Sequence, residues 1–352
     1  MAITMKDIAR HCGLSGGAVS QVLRDPENPR FSPKTRKLIL ETAAKLDYRQ
    51  NPLSRALRTN RTNLLGLMLP WNEPEVMDCV ERVASENGYK ILIQFTAHPR
   101  AGLELEGLHS FLDWNVDGIL WEPSFMTNDD FQPLLDTIRR EGPPLVMLER
   151  RQSGVDFPLV STDYRPALEK CVRHLHEQGF RKVVFVAMAM EDCSGIVDDK
   201  VRDIADLAQN CGMEFAHCKI DTERGNLKQQ AMAAVGDPAN ENSCFLCYSW
   251  LISDFVDAAD ALHRKIPEDL GLVMMIDLLI GGRLRVSNLL RPKITAIRVN
   301  SSELAELAVN RLLALIQKKP IRQPGALLHN SAELVIQQST SRKSCKDLAS
   351  KS

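Results

Sequence analysis

The sequence predicts two unlike parts: an all-α helix-turn-helix head over residues 1–50, and an α/β body of two doubly wound parallel-sheet lobes over residues 63–338. Three observations predict this. Residues 1–63 hold 12 Lys+Arg against 5 Asp+Glu, a net of +7, which leaves 32 basic and 40 acidic residues elsewhere, a net of −8. Short amphipathic stretches, each opened by a hydroxyl residue, crowd the first 46 residues. From Asn63 onward, short apolar runs alternate with helical stretches, the pattern of parallel sheets with helices on both faces. Residues 51–62 read as a hinge and linker, and residues 339–352, rich in Ser and Lys, as a disordered polar tail.

Composition removes several classes. At 352 residues, 44% hydrophobic and 25% charged, the chain is ordinary for a folded protein of more than one domain. No apolar run approaches the roughly 20 residues a membrane span needs. The N-terminus has no apolar leader segment, and nine scattered cysteines suit a reducing cytoplasm better than a disulfide framework. A basic head on an acidic body suits a polyanionic partner; the bland alternative is a solvated charged surface.

In the head, Thr4-Met5-Lys6-Asp7 is a capping-box pattern, followed by an apolar face of Met5, Ile8, Ala9 and Cys12. Gly13 is placed to end that helix in a left-handed conformation, and Leu14 to plug the turn. Ser15 can cap a second helix with Ala18, Val19, Val22 and Leu23 inside. Ser32-Pro33 opens a third, whose stripe is Leu38, Ile39, Thr42, Ala43 and Leu46. Helix, short Gly-containing turn, helix is the signature of a helix-turn-helix, which lays its second helix in the DNA major groove. Here Gly16, Gly17, Ser20 and Gln21 face the base edges. Thr4, Ser15, Arg24, Arg30 and Lys34 are available for phosphates, which set position without carrying sequence. The competing reading is a helical cap packed on the body.

Asn51-Pro52 opens a further short helix of seven or eight residues, too short to persist alone in water. Leu57 sits among Arg55 and Arg58, with Asn51 and Ser54 as polar neighbours. An apolar side chain flanked by cations is what minor-groove insertion uses; an ordinary basic linker is the alternative.

The run Thr4-Met-Lys-Asp-Ile-Ala-Arg-His-Cys-Gly-Leu-Ser, then Ala18-Val-Ser-Gln-Val-Leu, Ser32-Pro-Lys-Thr-Arg, Leu46-Asp-Tyr and Asn51-Pro-Leu-Ser-Arg-Ala-Leu-Arg-Thr resembles the lactose-repressor (LacI/GalR) family over the whole head, in order. The resemblance implies a dimeric bacterial transcription regulator on a pseudo-palindromic double-stranded operator. It implies a repressor located in the cytoplasm with the nucleoid. It also implies a hinge helix that folds on DNA and inserts Leu57 into the central minor groove. The family usually has larger polar residues at Gly16 and Gly17, often Arg at Gln21, and a shorter connection than Arg24-Asp-Pro-Glu-Asn-Pro-Arg-Phe.

In the body, strands are expected at Leu64–Leu69, Lys90–Phe95, Asp117–Trp121 and Leu145–Leu148, with helices near 74–87, 101–113 and 129–140. A second series of strands is expected at 159–162, 183–188, 214–220, 243–248 and 270–276, with helices near 165–178, 197–211, 225–235 and 250–264. A run at 294–299, a helix near 301–318 and a strand near 333–337 return the chain to each lobe in turn. The resemblance implies that same periplasmic-binding-protein-like arrangement. Ligands bind outside the carboxyl ends of such strands, where Asp163, Ser249 and Asp277 lie. Trp71, Trp121 and Trp250 sit at or near strand ends and either stack on a sugar or base or pack in the core. By resemblance Asp277 is the effector-binding Asp and Lys200 replaces an Arg. The family's Asn-Asp pair falls on Tyr248-Ser249, and its Gly-Phe-Asp-Asp context becomes Met275-Ile-Asp-Leu. The loop after Pro70 is about four residues shorter. A small polar effector such as a sugar is expected, with lobe-surface contacts of Asp277 and Lys200 as the alternative.

No catalytic pattern stands out. Cys244-x-x-Cys247 lies in a predicted buried strand, where the two side chains diverge, so buried thiols are expected. His174 and His176 sit two apart on a helix and share no face. No phosphate loop or nucleophile elbow is present, and no cofactor, metal or membrane partner is implied. The competing class is a cytosolic solute binder or carbohydrate enzyme using the body alone, which would need neither the basic head nor the hinge.

Overall fold

The computed structural model describes residues 3–48, 56, 59, 61–96, 101–123, 131–149, 157–188, 196–221, 225–280, 283–319 and 327–342. The chain divides into two compact units, Met1–Thr62 and Asn63–Ser352.

The first unit is three helices: α1 (Met5–Cys12), α2 (Gly16–Arg24) and α3 (Pro33–Lys45). Their ends follow local codes. The Thr4 amide and hydroxyl both donate to the Asp7 carboxylate, at 2.9 and 2.6 Å. These bonds, the hydroxyl's first, hold the Asp7 carboxyl below its usual range. Gly13 takes φ +65°, and the Leu14 amide closes the turn on the Ala9 carbonyl at 3.0 Å. Ser15 accepts from the Ala18 amide and Ser32 from the Thr35 amide. Ile8, Ala9, Val19, Val22, Ile39 and Ala43 form the core. The expected stripe of α3 packs inward at Ile39, Ala43 and Leu46 but is corrected at Leu38, which is 44% exposed. The long connection after α2 is held by Arg36, whose guanidinium donates to the carbonyls of Glu27 and Asn28 at 2.9 and 3.2 Å.

The second unit holds two six-stranded sheets. The N-lobe contains β1 (Leu64–Leu69), α4 (Pro74–Glu86), β2 (Lys90–Phe95), α5 (Ala101–Asp113), β3 (Gly118–Trp121), α6 (Phe131–Glu141), β4 (Leu145–Leu148) and β5 (Leu159–Asp163). The C-lobe contains α7 (Arg165–Glu177), β6 (Lys182–Met188), α8 (Ile196–Asn210), β7 (Glu214–Ile220), α9 (Leu227–Gly236), β8 (Ser243–Tyr248), α10 (Ile252–Ala261), β9 (Gly271–Met275), a ribbon of β10 (Leu279–Ile280) and β11 (Leu284–Arg285), α11 (Val286–Leu289) and β12 (Thr295–Arg298). The chain then returns to the N-lobe through α12 (Ser301–Ile316) and β13 (Leu327–Ser331), and ends in the C-lobe at β14 (Glu333–Val335). The N-lobe order is β13-β5-β4-β3-β1-β2, all parallel. The C-lobe order is β14-β12-β9-β8-β6-β7, parallel except for the antiparallel β12–β14 edge.

Alternation along each strand fills both faces. Leu65, Leu67 and Leu69 pack under α4 and α12, while Met68 faces the opposite cluster with Phe111 and Trp121. Cys244, Leu246 and Tyr248 join one C-lobe cluster, and Phe245 and Cys247 the other. Burial raises the Cys244 and Cys247 thiols, so neither is a ready thiolate. The seven described cysteines are free thiols. Among the described residues no group of His, Cys, Asp and Glu is placed to hold a metal. No described helix is long and apolar enough to cross a membrane.

Three expectations are corrected. Leu159–Asp163 belongs to the N-lobe sheet, not to the second series, because it registers with β4 and β13. The body is not wholly parallel, because β14 adds as an antiparallel edge. Residues 339–342 are part of the C-lobe rather than a loose tail. The Ser339 hydroxyl donates to the Leu272 carbonyl at 2.5 Å, and Thr340 lies 2.7 Å from the Thr295 hydroxyl. The Arg342 guanidinium stacks 3.7 Å over Phe180. Residues 343–352 lie outside the described residues.

His174 anchors this segment through a 2.9 Å bond between Nε2 and the Thr340 hydroxyl. Burial lowers its pKa below 6.5, outweighing Glu177 and the Thr340 contact, which raise it. The unfolded chain therefore takes up a proton near pH 6.5 that the folded chain refuses. The contribution of His174 to stability is full above pH 6.5 and is lost as pH drops through 6.5 towards the lower folded value. Thermal melts between pH 7.5 and 5 should show this loss, and His174→Gln should flatten it; an unchanged profile in the variant would assign the effect to other groups.

Candidate functional site

The head offers one polar face. Gly16 and Gly17 are exposed in the first turn of α2, and an added Cβ at Gly16 would meet nothing within 4 Å. Packing does not require glycine there, so the turn presents bare backbone. Ser20 and Gln21 are half-buried on the same helix. Arg24, Arg30 and Lys34 are exposed and, among the described residues, carry no ion pair. Thr4 and Ser15 are exposed, but each hydroxyl already serves a helix end, Thr4 donating to Asp7 and Ser15 accepting from Ala18. Asn51, Ser54, Leu57 and Arg58 lie outside the described residues.

In the body, the strand ends bring only some of the expected ligand residues together. Lys200 on α8 places its ammonium 4.2 Å from the Tyr164 ring centre and 5.6 Å from that of Tyr248. Tyr248 stacks on Trp250 with centroids 4.7 Å apart and planes 3° from parallel. Trp250 meets Trp71 of the N-lobe at 5.6 Å. Ser249, between the two stacked rings in sequence, is buried, and among the described residues its hydroxyl has no partner. A second bridge between lobes joins Arg285 to Glu75 at 3.4 Å. Burial raises the Glu75 carboxyl, against Arg285, which lowers it.

The other expected residues go elsewhere. Trp121 is a core residue, fully buried, with its indole N–H donating to the Glu104 carboxylate at 3.2 Å. Asp163 accepts from the Arg165 amide at the start of α7. Asp277 is corrected most strongly. Its carboxylate accepts from the Ser287 amide at 3.0 Å, the Ser287 hydroxyl at 2.7 Å and the Arg298 guanidinium at 2.8 Å, and its side chain is 0% exposed. It is a structural anchor with no open face towards the cleft. Sequence reasoning missed Arg298, Ser287 and Tyr164, which lie far from their partners along the chain.

Residues 4–51 match the family described as bacterial regulatory proteins, lacI family, and residues 172–340 match a periplasmic binding protein-like domain. Together the two matches span more than half of the chain. The chain belongs to the LacI family. It is 24% identical over 355 residues to the HTH-type transcriptional regulator RegA of Clostridium saccharobutylicum, covering 97% of this chain and all of that protein. It is 29% identical over 196 residues to catabolite control protein A of Priestia megaterium, covering 54% of this chain and 57% of that one. The fold is similar to that of the lac repressor dimer bound to operator and an anti-inducer, with a TM-score of 0.80, 17% identity, and 97% and 99% of the two chains covered.

This LacI-family chain is thus a DNA-binding transcriptional regulator, with the lacI-family match covering all three helices of its head. The body match runs to Thr340, in keeping with the burial of Ser339 and Thr340 in the C-lobe. What this LacI-family regulator lacks is a free carboxylate at Asp277, and what it adds is an aromatic row ending on a cation.

Proposed function

We propose that the chain is a repressor that binds a two-half-site duplex operator as a homodimer and answers to a small polar effector held between its lobes. The observation that carries the reading is the head: a capped helix-turn-helix with net charge +7 over residues 1–63 and exposed Arg24, Arg30 and Lys34. Gly16, Gly17, Ser20 and Gln21 face the bases, and Thr4, Ser15, Arg24 and Lys34 lie along the phosphates. Asn51, Ser54, Leu57 and Arg58 form the hinge, with Leu57 wedged into the central minor groove. An operator target places the protein in the cytoplasm with the nucleoid, and the reading includes no catalytic step.

Heparin and duplex-DNA retention of the full chain, compared with residues 63–352, test the assignment. The full chain should bind both, and the shorter chain neither. Duplex binding that survives removal of residues 1–62 would move the function to the body.

The dimer contact is assigned to the C-lobe ribbon. Ile280 and Leu284 pair across β10–β11, outside both sheets, yet are 52% and 54% exposed, and Leu278 and Leu289 lie exposed beside them. Apolar groups gathered on one exposed ribbon suit a second copy of the chain. Ile280→Asp with Leu284→Asp should convert dimer to monomer in sedimentation at micromolar concentration. A dimer that persists would place the contact on another face. The ligand then couples to DNA by linkage: whatever factor it changes in operator affinity, the operator changes in ligand affinity.

A further inference from the structure

The outward face of α2 is bare at its start. Gly16, Gly17, Ser20, Gln21 and Arg24 are spaced three and four apart and share one side of the helix, while Val19 and Val22 turn into the core. The two glycines answer no structural demand. Both are exposed in the first turn of a regular helix, and neither has a positive φ. An added Cβ would meet nothing within 4 Å at Gly16, and at Gly17 only the Ser15 hydroxyl oxygen at 3.9 Å, an ordinary contact. The fold has room for side chains at both positions, yet neither can reach a base edge.

Three side chains remain on that face. Ser20 carries one hydroxyl, which donates or accepts and so fits most base edges without choosing among them. Arg24 is exposed in the last turn, whereas a recognition helix presents its early residues to the bases. Gln21 stands between them. It is half-buried, and among the described residues its carboxamide forms no hydrogen bond, so Oε1 and Nε2 are both available. A carboxamide holds an acceptor and a donor side by side in one plane. In the major groove adenine shows the complement, an N6 donor beside the N7 acceptor. Guanine shows two acceptors, cytosine one donor, and thymine one acceptor beside a methyl group.

We propose that Gln21 gives each head its sequence preference by reading adenine, with Oε1 accepting from N6 and Nε2 donating to N7. This rests on the regulator reading above and narrows its target to one A·T pair in each half-site. The pairs beside Gly16 and Gly17 are then read by no side chain of α2.

Selection from a random duplex pool tests it, run once with the full chain and once with its Gln21→Ala variant, with affinities then measured at one salt concentration. The expected result is one pair in each half-site whose preference the variant loses, and that pair is A·T. Guanine in place of that adenine in one half-site should weaken the parent chain by about 5- to 150-fold, the range for one bidentate base contact. 7-Deazaadenine, which lacks the N7 acceptor, should also weaken the parent but not Gln21→Ala. Gln21→Glu keeps the shape and offers only acceptors when ionised, so its preference at that pair should move to cytosine. A new preference requires a folded head, so this variant carries the test if Gln21→Ala does not fold. Arg24→Gln should weaken all duplexes alike. The proposal is overturned if Gln21→Ala loses its preference at a G·C pair or at none, or if 7-deazaadenine binds the parent as adenine does. It is equally overturned if Gln21→Glu keeps the parent's preference, or if Arg24→Gln erases that preference instead. Random duplex separates the two readings: a chain that binds it but shows no Gln21-dependent pair loses only the adenine assignment, and a chain that binds no duplex loses the regulator reading as well.

Discussion

Raising monovalent salt from about 50 to about 200 mM is expected to weaken binding of the full chain to duplex DNA by about 10³–10⁵-fold, the fall for a protein making roughly 6–10 phosphate contacts. The head supplies the charge. Arg24, Arg30 and Lys34 are exposed without ion pairs among the described residues, and Lys6 joins them on α1. Arg10, Arg36 and Lys37 do have acidic neighbours, at 3.7–3.9 Å. Arg36 is also spent on loop carbonyls, so it is a poor phosphate ligand. These four cations, Arg24, Arg30, Lys34 and Lys6, doubled in a dimer, already reach the range that gives so steep a slope. Each released counterion adds to the exponent, so Arg24→Gln or Lys34→Gln should reduce the slope by about one per head. The measurement is the slope of log Kobs against log salt on operator and on random duplex. A slope near zero would mean that the +7 head is a solvated surface, whatever its helices resemble.

The head was legible because its signals are local. Thr4-Asp7, Gly13, Ser15 and Ser32-Pro33 each fix a helix end within four residues, and the structure uses all of them. Leu38 was misjudged because a stripe read on one helix allows more than one facing, and only the packed partners choose it. Body strands were legible as apolar runs, but their order was not. Leu159–Asp163 finds its neighbours through register with β4 and β13, which leaves no mark on its own residues. Leu327–Ser331 escaped notice because Leu-Leu-His-Asn-Ser is too short and polar to read as a buried strand. Ser339 and Thr340 look like tail composition, yet pairing with Leu272 and Thr295 buries them. The cleft followed the same rule. Its location at strand ends could be read, whereas the row through Tyr164, Lys200, Tyr248 and Trp250 joins separate elements.

Asp277→Ala is expected to destabilise the body by about 3–5 kcal/mol, the cost of breaking a buried charge pair by removing one partner. The carboxylate is the hub of a network drawn from three segments. It fastens Ser287 at the start of α11 through amide and hydroxyl, and Arg298 at the end of β12. Its own carbonyl accepts from Arg285, which also reaches Glu75 in the N-lobe. Immediately before it, Ile276 is held at φ +60°, a conformation that a β-branched residue rarely adopts and that needs fixed neighbours to persist. Removing the carboxylate leaves the Ser287 amide and hydroxyl and one face of Arg298 without an acceptor in a buried setting. Arg298→Met should cost less, because Asp277 keeps two donors from Ser287. A double-mutant cycle on the two residues, read from denaturant midpoints at constant m-value, should return a coupling of about 0.5–3 kcal/mol, the range for groups in one network. A ligand-holding Asp277 predicts the opposite pattern: near-normal stability and lost effector affinity. Asp277→Ala that melts like the parent while binding no effector would return this residue to the site and make the Arg298 bond a feature of the unliganded cleft alone.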